Sequence, residues 1–211
     1  GPMRLLMRWE GTHKDEDGRG HFDFLIRLTL YAGKPFLRID HTFFNRLDDD
    51  VTPIKQLVAH LPVDLGGQLQ YTVGDIHRRP TEFDADQPVR LEQHHAGQFR
   101  IIGRDGQVLK EVDNNSMGWI NASSSSLGLM LAGKQFWQNY PKAMAASPEA
   151  FDYCLIPDRG DPFPVPRGMA KTHTFFLCVH DGKTDGSQLV DLAYSVQRWP
   201  MPAAPSQYYE R

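Results

Sequence analysis

The chain has 211 residues and a formal net charge of −3, with acidic and basic side chains mixed along its length. It shows no basic stripe of the kind that nucleic acid or an anionic membrane surface requires, and no apolar run near the ~20 residues of a membrane span. Cys154 and Cys178, the two cysteines, are too few for a disulfide scaffold; both lie in apolar, strand-like runs, where buried free thiols are expected rather than a bridge.

Gly1-Pro2 ahead of Met3 reads as the remnant of a cleaved purification tag, which leaves 3–211 as one domain, a length that a single all-β unit can fill. From His21 to Asn45 the pattern is a long hairpin: Phe22, Phe24, Ile26, Leu28 and Leu30 alternate with polar residues, and Ala32-Gly33-Lys34-Pro35 turns the chain. Strand-like stretches recur over 54–63, 68–73, 98–102, 117–121, 128–132, 151–156, 172–179 and 193–197, rich in β-branched and aromatic residues and separated by Gly, Pro, Asn or Asp. Helical periodicity is confined to a turn or two around Lys134 to Tyr140, ended by Pro141, with a second short turn over Pro148 to Phe151. The fold class is therefore all-β, an antiparallel β-sandwich with one or two short helices. Long loops are expected over 75–91, 104–116 and the proline-stiffened 157–168, where ordered loops on a rigid sheet build sites.

The run Phe136-Trp137-Gln138-Asn139-Tyr140-Pro141-Lys142 and the later Lys171-Thr172-His173-Thr174 concentrate aromatics, amides, lysines and a histidine. Flat rings suit sugar faces, amides suit hydroxyls and ammonium groups suit carboxylates, so the combination points to an acidic polysaccharide or oligosaccharide. Trp137 and Tyr140, three apart, share one side of a helical turn flanked by Gln138 and Asn139. Trp137 is expected to anchor the core, whereas Tyr140 and Lys142, beside a proline, are expected to be exposed. Strand parity aligns Lys171 with His173, where a neighbouring cation favours a neutral imidazole base; a solvated lysine beside a cross-strand histidine is the structural alternative. Parity also places His41 with Leu37, Ile39 and Phe43, and Arg38 with Asp40 and Thr42 on the opposite face. For His41 a core-edge imidazole bonded to a neighbouring strand competes with a ligand-facing role.

Other clusters carry less. Asp48-Asp49-Asp50 offers oxygens to a hard cation such as Ca2+, but without glycine-spaced ligands or a bidentate glutamate it reads as a solvated turn, and no cofactor is expected. His77, His94 and His95 lack zinc-site spacing. Asn114 and Asn121 each open an Asn-x-Ser sequon, which matters only in a eukaryotic secretory host. No nucleophile elbow, phosphate loop or dinucleotide fingerprint occurs.

The chain resembles the central β-sandwich domain of the exo-rhamnogalacturonan lyase group, the PcRGLX/YetA-like proteins. The similar passages are Trp9-Glu10-Gly11, then Leu30-Tyr31-Ala32-Gly33-Lys34-Pro35 running into Arg38-Ile39-Asp40-His41-Thr42-Phe43, then Gly128 to Lys142, and Gly168 to His173. The resemblance implies a supersandwich-like fold cut from a larger parent, with an N-terminal β-barrel and a C-terminal α/α toroid as missing partners, and a site of which the sandwich holds at most half. It departs from the family at Cys154-Leu155-Ile156-Pro157-Asp158, where a Trp-Pro step is expected, and at Thr174, where an acid is expected. Such lyases cut uronic-acid glycosides by β-elimination. That chemistry would use Lys171, Lys142 or Arg38 to neutralise the carboxylate, His173 or His41 as base and Tyr140 as acid, with Trp137, Gln138 and Asn139 holding sugar. A non-catalytic carbohydrate-binding or interdomain sandwich is the second reading. A glycoside hydrolase using two of Asp40, Asp152, Asp158 and Asp161 is the third.

Overall fold

The computed structural model describes residues 3–14, 17–76, 80–83 and 88–198. His77 and the segment from Pro200 to Pro205 lie outside the described residues. In chain order the strands are β1 (Arg4–Lys14), β2 (Gly20–Tyr31), β3 (Phe36–Phe44), β4 (Val51–Ile54), β5 (Leu57–Pro62), β6 (Gln70–Gly74), β7 (Pro80–Phe83) and β8 (Val89–His95). They continue as β9 (Gln98–Ile102), β10 (Val108–Val112), β11 (Trp119–Ser123), β12 (Leu127–Gly133), β13 (Lys142–Ala146), β14 (Ala150–Ile156), β15 (Phe163–Pro166) and β16 (Ala170–Asp181), followed by the one α-helix among the described residues, α1 (Gly186–Gln197).

Two antiparallel sheets face each other, one ordered β1-β2-β3-β16-β12-β11-β6-β7 and the other β10-β9-β8-β13-β14-β5, with β4 and β15 forming a separate ribbon. The fold is the all-β antiparallel sandwich that the alternating runs lead one to expect. Its core lies between the sheets: Ile39, Tyr71, Val73, Ile120, Leu131 and Phe175 from the first meet Val89, Leu91, Phe99, Ile101, Met144 and Tyr153 from the second. A smaller cluster of Phe22, Phe43, Ile54, Ile156 and Val165 sits beneath the ribbon. The β2–β3 hairpin turns at Gly33, whose positive φ of 70° suits glycine.

The strand β12 is buried along nearly its whole length, because both of its faces are covered. Leu129 and Leu131 point into the main core. Met130 and Ala132 point outward with Trp119, Phe176 and Cys178, under Leu189, Val190, Ala193 and Val196 of α1. This helix corrects the strand expected over 193–197. Asp185 caps it, accepting from the Ser187 and Gln188 backbone N–H groups while the Gln188 side chain returns to the Asp185 backbone. Such a capping box is worth about 1 kcal/mol, and each buried Leu or Val adds roughly 1.5–3 kcal/mol, so packing decides the helix.

The turn expected over Pro148 to Phe151 is instead a tight β13–β14 connection, where Ser147 Oγ accepts from the backbone N–H groups of Glu149 and Ala150. Parts of the expected loops are strands: β7 and the start of β8 fall in 75–91, β10 in 104–116, and β15 in 157–168. Prolines are tolerated in β15 because it pairs only with β4, in a two-stranded ribbon. Cys154 and Cys178 are buried free thiols. No described helix is long and apolar enough to cross a membrane.

Candidate functional site

The segment joining β12 to β13 carries the Phe136–Lys142 run from the first sheet to the second. Gln135 adopts a positive φ of 53°, and the Phe136 ring plugs into the core at 2% exposure. The Asn139 backbone N–H and its side-chain amide both reach the Gln135 carbonyl, at 3.1 and 3.0 Å, closing a short 3-10 turn over Trp137–Asn139. The Lys134 backbone N–H donates to the Thr174 carbonyl at 2.9 Å. That bond ties the turn to β16 beside His173, so two passages some thirty residues apart in sequence become neighbours.

β16 pairs with β3 in a register that sets His173 opposite His41, Phe175 opposite Ile39, and Lys171 opposite Phe43. Ile39 and Phe175 belong to the main core and Phe43 to the smaller cluster. The two imidazoles therefore occupy the seam between two apolar regions, at 5% (His41) and 4% (His173) exposure. His173 stacks on Phe43 at 6.1 Å, and the His13 ring lies 5.9 Å from His41.

Lys142 enters from the second sheet. It is 1% exposed, which corrects the expectation of an exposed lysine, and among the described residues its Nζ donates to the Leu155 carbonyl alone. A cavity of about 50 Å³ is bounded by Tyr140, Lys142, Lys171, His173 and Phe43, and a neighbouring one of about 120 Å³ by Lys134, Asn139, Lys142, Tyr153, Thr172 and His173. Neither is lined by an acidic side chain.

Burial without a counter-charge sets the protonation of this cluster. Desolvation first, then the charges of Lys142, Lys171 and His41, hold His173 down to about 2. Desolvation and then His13 hold His41 down to about 4. Lys142 is pushed well below the ordinary lysine range by burial and then by Lys171, and half-buried Lys171 is lowered by burial alone. Burial and the neighbouring charges thus leave both imidazoles uncharged at neutral pH. His173 Nε2 and His41 Nδ1 are buried with no hydrogen-bond partner.

Lys142→Met is accordingly expected to leave the native state as stable as the wild type, or more stable by about 1–3 kcal/mol near neutral pH. The unfolded chain holds the lysine proton up to its ordinary value of 10.5, whereas the folded chain releases it earlier. Unfolded protein thus binds more protons, and wild-type stability rises with pH on the alkaline side up to that ordinary value. Melts across that range should show the slope in the wild type and a shallower one in Lys142→Met. Equal slopes would refute the assignment.

The remaining expected site residues divide. Tyr140 is 46% exposed and borders the smaller cavity, and Asn139 borders both, with its amide spent on Gln135. Trp137, expected in the core, is 36% exposed because Phe136 takes the anchoring role; with Gln138 it lines a different and larger cleft of about 580 Å³ beside α1. Arg38 does not join the cluster. It points to the other face of β3, where its guanidinium holds Asp40 Oδ1 at 2.9 Å and Thr174 Oγ1 donates to the same oxygen at 2.6 Å.

The hydrolase candidates are engaged separately: Asp40 with Arg38, Asp152 with His60 at 2.7 Å, and Asp158 with Lys55 at 3.4 Å. Asp48 to Asp50 lie exposed, Asp50 facing Arg167 at 3.5 Å. His94 bonds Gln98 at 2.9 Å, and among the described residues no group of three or more metal-ligating side chains converges. The Asn121 sequon is closed off, since Asn121 is buried between His180 and Ser123. Tyr153, Lys134 and Gln135 line the cavity beside His173 and were not singled out by the sequence. Of these, Tyr153 had only the alternation Phe151, Tyr153, Leu155 to mark its inward direction.

Comparison with solved structures gives the fold. A TPR-domain containing protein from Parabacteroides distasonis superposes with a TM-score of 0.57 at 10% identity, over 97% of this chain and 36% of its own. A protein assigned as an aldose 1-epimerase from Klebsiella pneumoniae gives a TM-score of 0.54 at 8% identity, over 92% of this chain and 56% of its own. The chain thus spans about a third of the length of one and just over half of the other. No curated protein matches the sequence. The Lys134–Lys142 and Ala170–His173 passages lie beyond the family match, while Trp9-Glu10-Gly11, Arg38 and His41 lie within it: residues 1–72 match the family described as PcRGLX-like protein central beta sandwich domain, the same family and domain that the sequence motifs resemble.

Proposed function

We propose that this sandwich supplies part of the active site of a polysaccharide lyase acting on uronic-acid, rhamnogalacturonan-like glycans. The observation that carries the reading is the Lys142–Lys171–His173 cluster, buried or half-buried around cavities lined by no acidic side chain, with His41 opposite His173 on the neighbouring strand. A substrate carboxylate is the counter-charge it lacks, and the smaller cavity matches a carboxylate rather than a whole sugar ring.

The carboxylate carbon is bonded to C5 of a uronate, so seating the carboxylate there brings the C5 proton within reach of the cavity wall. Lys171, the less buried of the two lysines, neutralises the carboxylate and acidifies C5, with the Lys142 amine donating a hydrogen bond beside it. A neutral imidazole, His173 or His41, takes the C5 proton as the C4–O4 bond breaks and the C4=C5 double bond forms. Tyr140, at the exposed rim, protonates the departing oxygen. The sugar rings would lie outside against a second surface, the role of the toroid in the resembled family.

The test is to incubate a full-length protein carrying this sandwich with rhamnogalacturonan oligosaccharides and follow the absorbance of unsaturated uronate. We expect product formation, and a fall in kcat of about 10²–10⁴-fold for His173→Ala. Release of saturated sugars only would overturn the elimination chemistry. A second reading, a non-catalytic or interdomain sandwich, draws on the near-complete burial of His173 and Lys142; glycan binding without turnover by the full-length protein would select it.

A further inference from the structure

Resting on the reading above only for the acidic character of the glycan, we propose that the cleft between α1 and the Phe136–Tyr140 turn is a saccharide-binding subsite, separate from the His173 cluster. Its volume of about 580 Å³ falls in the range typical of ligand sites and gives room for a short oligosaccharide.

The walls have the chemistry that a sugar needs. Trp137 offers an exposed indole face, and Asn114, Asn115 and Gln138 offer amides. Asn115 Oδ1 is buried without a partner, an acceptor that a sugar hydroxyl can fill. The Arg198 guanidinium lies 4.5 Å from the Tyr194 ring centre and remains exposed, so it can pair with a carboxylate while stacked.

The floor is fixed before any ligand arrives. The Gln197 side-chain amide donates to the carbonyls of Met117, Gly118 and Gly133 at 2.8, 3.0 and 3.0 Å, and Ser116 Oγ donates to the Gly74 carbonyl at 2.8 Å. A preorganised floor spares the ordering cost of binding. Lys134 and Gln135 border both this cleft and the 120 Å³ cavity beside His173. A chain seated on Trp137 can therefore continue around the turn towards the Lys142–His173 cluster.

Calorimetric titration of the protein with an alternating galacturonate–rhamnose tetrasaccharide tests the subsite. We expect binding that weakens by about tenfold or more in Trp137→Ala, less in Trp137→Phe, and that loses much of its salt dependence in Arg198→Gln. Thermal melts confirm that each variant is folded. Wild-type affinity in both Trp137→Ala and Asn115→Leu would overturn the proposal, as would no binding of the tetrasaccharide by the wild type. Loss of binding in Lys142→Met with retention in Trp137→Ala would overturn the subsite yet leave the lyase reading standing. Trp137-dependent binding without elimination by the full-length protein would do the reverse.

Discussion

Acidification from about pH 7.5 to about pH 5 is expected to remove about 4 kcal/mol of stability through His41 and His173. In the unfolded chain each imidazole titrates near 6.5, whereas in the folded protein burial and neighbouring cations hold them to about 4 and about 2. Below 6.5 the unfolded chain therefore binds protons that the native state refuses. Stability is complete above that value and falls as the pH drops through it, by about 2 kcal/mol per histidine at pH 5. The groups facing the pair, His13, Lys142 and Lys171, are all cationic when protonated and deepen the effect.

Asp158 and Asp185 are lowered chiefly by backbone N–H bonds, from Gly160 and Gln188. Their contribution is lost only below the ordinary carboxylate value of 3.8, outside the histidine window. Urea midpoints at the two pH values measure the loss. The double variant His41→Gln, His173→Gln should show little of it, whatever its absolute stability. An undiminished loss in that variant would place the acid sensitivity elsewhere.

Gly118→Ala is expected to cost about 3 kcal/mol or more and to dislodge the turn that carries Trp137 and Tyr140. Gly118 has φ 70°, and an added Cβ would stand 2.2 Å from Phe136 Cβ and 2.6 Å from the ring. Phe136 is packed in the core, and the clash falls at the root of its side chain, so no rotamer change relieves it. Gly33→Ala is the control: it has the same φ of 70° with nothing within 4 Å, and it should cost only about 1 kcal/mol. Denaturant titrations that return similar losses for the two variants would show that backbone conformation, not contact with Phe136, governs the site. A folded Gly118→Ala protein should also bind the tetrasaccharide weakly, since the floor of the cleft and the Trp137 platform move with Phe136.

How far the site was legible in the sequence depends on the kind of information each residue needed. Parity alone separated Arg38 from His41 and aligned Lys171 with His173, because strand neighbours alternate by geometry whatever they pack against. The α1 helix was missed although Asp185-Gly186-Ser187-Gln188 carries a capping box. The apolar Leu189, Val190, Ala193 and Val196 that follow pass locally for strand, and only the outward face of β12 and β16 explains why they form a helix. Lys142 was misplaced for a related reason: proline neighbours argue for exposure, but Lys142 opens a strand between β8 and β14, and the sheet takes it inside.

From its sequence alone this chain determined an all-β sandwich, its long β2–β3 hairpin, its two unbridged cysteines and a resemblance to the PcRGLX-like central domain, all of which rest on local periodicity and on motifs in order. Tertiary structure alone decided which of the conspicuous residues meet. The antiparallel register of β3 with β16 set two histidines face to face, and the bond from Lys134 to Thr174 brought the Trp137 turn beside them. Burial then favoured their neutral forms and left the Lys142–His173 cluster and the Trp137 ring lining different cavities. Register, burial and charge coupling are sums over residues distant in sequence, so no window along the chain contains them.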